Sequence, residues 1–167
     1  FVNFLFSTFS IVAIDQESGA VGSAGASCIE GSVIISDIYP GLGAVHTQSY
    51  WSSSNQELAG DMMTQGYSPS DIIDHLIQND VSNNPSIRQY GIVSLQSIGS
   101  QDAFTGENCF DWKGHKVGSN YSIQGNILLS SNVLESMESN FLNFQGSFEQ
   151  KLMHSLQGAN IVGADTR

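Results

Sequence analysis

Positive charge is what this chain most lacks. Five Lys and Arg stand against 16 Asp and Glu in 167 residues, a net charge of −11. Such a chain is poorly equipped to neutralise a run of phosphates, which disfavours nucleic acid or an anionic membrane as partner. Charge of either sign is scarce, at 13% of residues, so Ser, Asn, Gln and Gly must cover the surface. That composition fits a secreted, extracellular protein. Cysteine is nearly absent: Cys28 and Cys109 are the two. They have neither CxxC spacing nor a nearby pair of histidines, so no zinc or other metal site is expected, and no cofactor. Two readings of the pair stand: one Cys28–Cys109 disulfide closing a long loop in an oxidising compartment, or two buried free thiols. No apolar run is long enough to cross a bilayer. No GxSxG elbow, P-loop, HExxH or GxGxxG occurs.

What is present suffices for one domain with a sizeable core, with 40% of residues hydrophobic. Alternating β-favouring residues predict strands over 7–15, 21–29, 32–38 and 43–50. Leu58, Met62 and Met63 are spaced for a helix over 55–65 that stops at Gly66. Ser68-Pro69-Ser70-Asp71 starts a second helix, with Ser68 as cap and an apolar face of Ile72, Ile73, Leu76 and Ile77. A second block of strands is expected over 88–96, 102–105, 112–117 and 121–128. Two closing helices, 131–144 and 147–157, carry Val133, Leu134, Met137 and Phe141, then Phe148, Leu152, Met153 and Leu156, on one side of each. Strands, helix pair, strands, helix pair predicts an α+β fold: two mainly antiparallel sheets face to face, with helix pairs outside. The apolar runs SVIISDI and GIVSL suit sheets buried on both faces.

Several polar residues interrupt these strands, where an unpartnered polar group is costly. Thr47 and Gln48 sit in AVHTQSY; Gln124 and Asn126 sit in SIQGNILL. Such groups either hold the core together or aim at chemistry, as amides that donate to a developing oxyanion do. Of four dispersed histidines, His75 and His154 fall on helix surfaces, and His115, in DWKGHKVG, is a candidate site residue.

The stretches TFSIVAID, VGSAGAS, PGLGAVHTQSY, RQYGIVSL, AFTGENCFDWKGHKVG, YSIQGNILL and VGAD stand in an order that resembles the DUF1028 family, from about Thr8 to Asp165. That family is similar to the N-terminal-nucleophile hydrolases, and the resemblance implies a four-layer αββα sandwich over 8–167. It implies that Thr8 becomes the first residue of the mature chain. The apolar opening FVNFLF, with Ser7, would then be the tail of a signal peptide; otherwise it begins the first strand. A free α-amino group could serve as base for the Thr8 hydroxyl. The resemblance further suggests Asn126 and the amides around Gly125 as an oxyanion site, Gln48 and Thr47 as orienting groups, Thr47, Gln124 and Gly125 as substrate-binding residues, and His115 and Asp165 as shapers of the pocket. Family members continue past VGAD with a further stretch and a last strand, so a truncated or processed domain is expected here. Two functions follow. One is a secreted hydrolase of a small amide or peptide-like substrate. The other is a non-enzymatic extracellular module that self-associates as a homo-oligomer, filament or surface layer through its apolar terminus.

Overall fold

The structure is a computed structural model that describes residues 7–96 and 100–160. It is a mixed α+β fold with two antiparallel sheets and four helices. The chain runs β1 (Thr8–Asp15), β2 (Ala20–Ser27), β3 (Ser36–Tyr39), β4 (Gly43–Ser49), α1 (Ser53–Thr64), α2 (Pro69–Gln78), β5 (Arg88–Ser94), β6 (Gln101–Thr105), β7 (Gly114–Val117), β8 (Tyr121–Asn126), α3 (Asn132–Asn143) and α4 (Phe148–Gly158). One sheet has the order β2-β1-β8-β7 and the other β3-β4-β5-β6.

Local chemistry sets the boundaries. The β1–β2 hairpin turns at Gly19, whose φ of 71° suits a residue without Cβ. Ser52 and Ser68 accept from the backbone N–H of Asn55 and Asp71 to cap α1 and α2. Ser147 and Gln150 form a reciprocal capping box on α4.

Period-two alternation then sorts every central strand into two faces. Ile11 and Ala13 of β1, with Tyr121 and Ile123 of β8, pack under Leu134, Met137, Phe141 and Leu152 of α3 and α4. Val45, Tyr90 and Ile92 of the other sheet pack under Met62, Met63, Ile72 and Leu76 of α1 and α2. The opposite faces of the two sheets meet. At one end that meeting is apolar, through Val12, Ile14, Ala44 and Val93. Toward the start of β1 the same faces become polar, with Ser10, His46, Gln48, Gln89, Gln124 and Asn126 all buried.

Four expectations need correction. The segment SVIISDI is not one extended strand. After Gly31, at φ 70°, Ser32–Ile35 forms a 3-10 turn, and only Ser36–Tyr39 pairs as β3. Nor is it buried on both faces: Ile35 is buried but Val33 is 77% exposed, because the segment lies at a sheet edge, unlike β5, which is buried throughout. Met153 points outward from α4, 52% exposed, while Leu152 takes the core position. The disulfide alternative is not realised. Cys28 and Cys109 are both free thiols, one following β2 of the first sheet, the other donating to the Arg88 carbonyl of the second.

Candidate functional site

Thr8 opens β1, and the register sets it between Ser27 of β2 and Asn126 of β8. Directly paired antiparallel residues hold their Cβ atoms about 4.5–5.5 Å apart, so three polar side chains meet at one sheet end. The Thr8 hydroxyl is hydrogen-bonded to the Ser27 hydroxyl at 2.8 Å. Thr8 is 7% exposed, and what it touches beyond the protein is a cavity of about 310 Å³. Ser27, Gln48, Ser49 and Asn126 give that cavity its polar wall; Ile29, Ile35, Tyr50, Trp51, Phe110 and Ile127 give the rest. Ser7, still joined to Thr8 by its peptide bond, is buried, and its carbonyl lies 4.0 Å from the Cys28 sulfur.

A chain of amides locks this wall. Gln89, fully buried, is the hub. Its Oε1 accepts from Gln48 Nε2 at 2.7 Å and from Asn126 Nδ2 at 2.9 Å. Its Nε2 faces three acceptors: Thr105 Oγ1, Gly114 O and Gly125 O, at 2.9–3.0 Å. Ser10 donates to Gln48 Oε1 at 2.8 Å and accepts from Gln124 Nε2 at 2.6 Å. Ser122 donates to Gln124 Oε1. The network therefore crosses repeatedly between the sheets, from β1, β7 and β8 to β4 and β5. It has room because Gly91 has no side chain: a Cβ there would lie 1.9 Å from Gln124 Oε1. Asn126 spends one of its two N–H groups on Gln89, and the residue lines the cavity.

His46 ends the network beyond Gln124. Burial pushes its pKa down to about 3, so the ring is neutral. Its Nδ1 is 3.3 Å from Gln124 Nε2, and among the described residues its Nε2 has no hydrogen-bond partner. Below the cavity wall, Arg88 and Asp80 form a buried ion pair at 2.7 Å, and Arg88 also donates to the Tyr50 carbonyl. Burial by itself would raise the Asp80 pKa, but bonds from Arg88, the Asn84 and Ser82 amides and Asn55 outweigh it and hold the carboxyl well below its usual range.

The backbone is strained at this place. Ser49 has φ 71° and Ile127 φ 58°. A β-branched residue in the left-handed region is a true outlier, and such outliers persist where the surroundings over-determine them. The two turns deliver Tyr50 and Trp51 on one side and follow Asn126 on the other.

The candidates from the sequence thus divide. Thr8, Gln48 and Asn126 line one cavity. Gln124 and the Gly125 carbonyl support it from within the network. Thr47 faces the other way: in phase with Val45, it donates to Gln56 of α1 at 2.6 Å. His115 is exposed and reaches the network only through Thr105, whose hydroxyl lies 2.9 Å from its Nδ1. Asp165 lies outside the described residues. Gln89, Ser10 and Ser27 were missed, although Gln89 and Ser10 carry the signal that marked Gln48: a polar residue inside an apolar strand. Among the described residues, no group of three or more His, Cys, Asp or Glu is placed to hold a metal ion, and no helix is long and apolar enough to cross a membrane.

Comparison with known proteins adds kinship. No curated protein matches the chain. The crystal structure of protein SPO2555 from Silicibacter pomeroyi, itself assigned to DUF1028, superposes with a TM-score of 0.83 at 28% identity, covering 92% of this chain and 70% of that one. The family model of DUF1028, a family of unknown function, matches residues 8–167. On that match, which starts at Thr8 itself, the chain belongs to the DUF1028 family.

Proposed function

We propose that the chain is an amide hydrolase of the N-terminal-nucleophile type, built as a four-layer αββα sandwich and secreted, with Thr8 as nucleophile once water has hydrolysed the Ser7–Thr8 peptide bond. The observation that carries this reading is the Thr8 hydroxyl set in the wall of a cavity, between Ser27 and Asn126, at the polar end of two facing sheets. The family match beginning at Thr8 agrees with it.

The chemistry runs as follows. A free α-amino group titrates at about 7.7–8.0, so near neutrality part of it is unprotonated. It takes the proton from Thr8 Oγ1, directly or through a water, as Oγ1 attacks the substrate carbonyl. The Ser27 hydroxyl holds Oγ1 in its rotamer. The second N–H of Asn126 donates to the oxyanion, and Gln89 keeps that amide aimed without reorganisation. Collapse expels the amine, which leaves with the proton held by the α-amino group, and an ester remains on Thr8. Water adds to the ester by the same route, and the acid departs. Ser7 in peptide linkage removes the base, so the uncleaved chain is inactive.

N-terminal sequencing of the protein from its native host should read Thr-Phe-Ser. In that form Thr8→Ala should abolish amide turnover while the melting temperature moves by only a few degrees, since one hydroxyl pair is lost. Undiminished turnover in the variant removes Thr8 from the mechanism.

A further inference from the structure

The cavity beside Thr8 is unusual for a protein with so lopsided a charge. Of 167 residues 16 are acidic, yet none of the residues lining this cavity carries a charge. Thr8, Ser27, Gln48, Ser49 and Asn126 supply its aliphatic hydroxyls and amides. The rest is Ile29, Ile35, Tyr50, Trp51, Phe110 and Ile127. These walls are held in place. Trp51 Nε1 donates to Gln56 Oε1 at 2.6 Å, and the Tyr50 and Phe110 rings lie 6.0 Å apart, tilted by 38°. The Tyr50 carbonyl is tied to Arg88. The volume, about 310 Å³, is at the small end of ligand sites, which run from about 300 to 1,000 Å³.

Resting on the hydrolase reading, we infer that the acyl half of the substrate is uncharged and apolar, a short aliphatic or aromatic acyl group seated against Tyr50, Trp51 and Phe110 with its carbonyl at Thr8 and Asn126. A carboxylate or ammonium on that group would leave water for walls that hold no opposite charge, which is costly. Each methylene that is buried instead is favourable, by about fourfold in affinity per group. The amine half, lying toward solvent, is not constrained by these residues.

Two measurements separate this inference from the activity beneath it. The first is kcat/KM of the chain beginning at Thr8 on para-nitroanilides of acetic, butyric, hexanoic and glutaric acids. The expected result is a rise of about fourfold per methylene from acetyl to hexanoyl, with the glutaryl compound at least about 100-fold below hexanoyl. The second is calorimetric binding of hexanamide and of glutaramate to the full chain, and to its Phe110→Asp variant. Phe110 is 42% exposed, so the variant keeps its core. Hexanamide should bind the chain, glutaramate should not, and the variant should lose hexanamide. Hexanamide binding with no anilide turnover upholds the apolar site and sinks the hydrolase. Turnover with glutaryl equal to or above hexanoyl upholds the hydrolase and overturns the apolar acyl group. Neither turnover nor binding overturns both.

Discussion

Replacing Gln89 by Leu removes the hub of the polar network without changing the bulk of the side chain much. Gln89 is fully buried. In the variant Gln48 Nε2 and Asn126 Nδ2 both lose the oxygen they share, and the Gly114 and Gly125 carbonyls lose a donor. Leaving a buried polar group unpaired costs about 1–3 kcal/mol. The two amide donors alone then cost about 2–6 kcal/mol. That is a large part of the 5–15 kcal/mol that holds a typical domain together. At about 2–4 °C per kcal/mol for a chain of this size, Tm should fall by about 4–24 °C, read by calorimetry or by circular dichroism. Turnover measured well below Tm should fall as well, because Asn126 is no longer aimed. A Tm within 2 °C of the parent would refute the claim that this network organises the site.

Other perturbations have signs that the structure sets. His46 has a folded pKa of about 3, below its unfolded 6.5, so the unfolded chain binds more protons between those values. Stability is complete above about pH 6.5 and is lost as pH falls toward 3, at up to about 1.4 kcal/mol per pH unit. In urea titrations His46→Gln should remove most of that slope, and an unchanged slope would place the proton elsewhere. Arg88→Met leaves the Asp80 carboxylate buried without its cation and should cost about 3–5 kcal/mol. Acid removes the stabilisation that Asp80 contributes, but only below its unfolded pKa of 3.8. A loss under 1 kcal/mol in Arg88→Met would show that Asn55 and the backbone amides suffice for Asp80.

Much of this architecture was legible because its signals are local and redundant. Ser68-Pro69 begins α2, the caps lie where serine precedes an apolar periodicity, and the strand runs alternate. The error at Ser32–Ile35 has a definite source: three apolar residues in a row have no period, so a strand and a 3-10 turn look alike. Gln48, Gln124 and Asn126 were visible as amides where apolar residues were due. Thr47 and Gln48 are neighbours, and nothing local says which faces the opposite sheet; the pairing of β4 with β5 decides it for Gln48. Ser27, Tyr50, Trp51 and Phe110 were illegible for another reason. They come from the end of β2 and from the segments after β4 and β6, and only the register of two sheets brings them to Thr8.

The central claim concerns one nitrogen. The most direct measurement compares amide turnover by three forms of the chain: one beginning at Thr8 with a free amino group, the same form acetylated there, and one that keeps Ser7. The account predicts turnover by the first alone, rising with pH through a group that titrates near 8. Equal turnover by the acetylated or Ser7-bearing chain would contradict it.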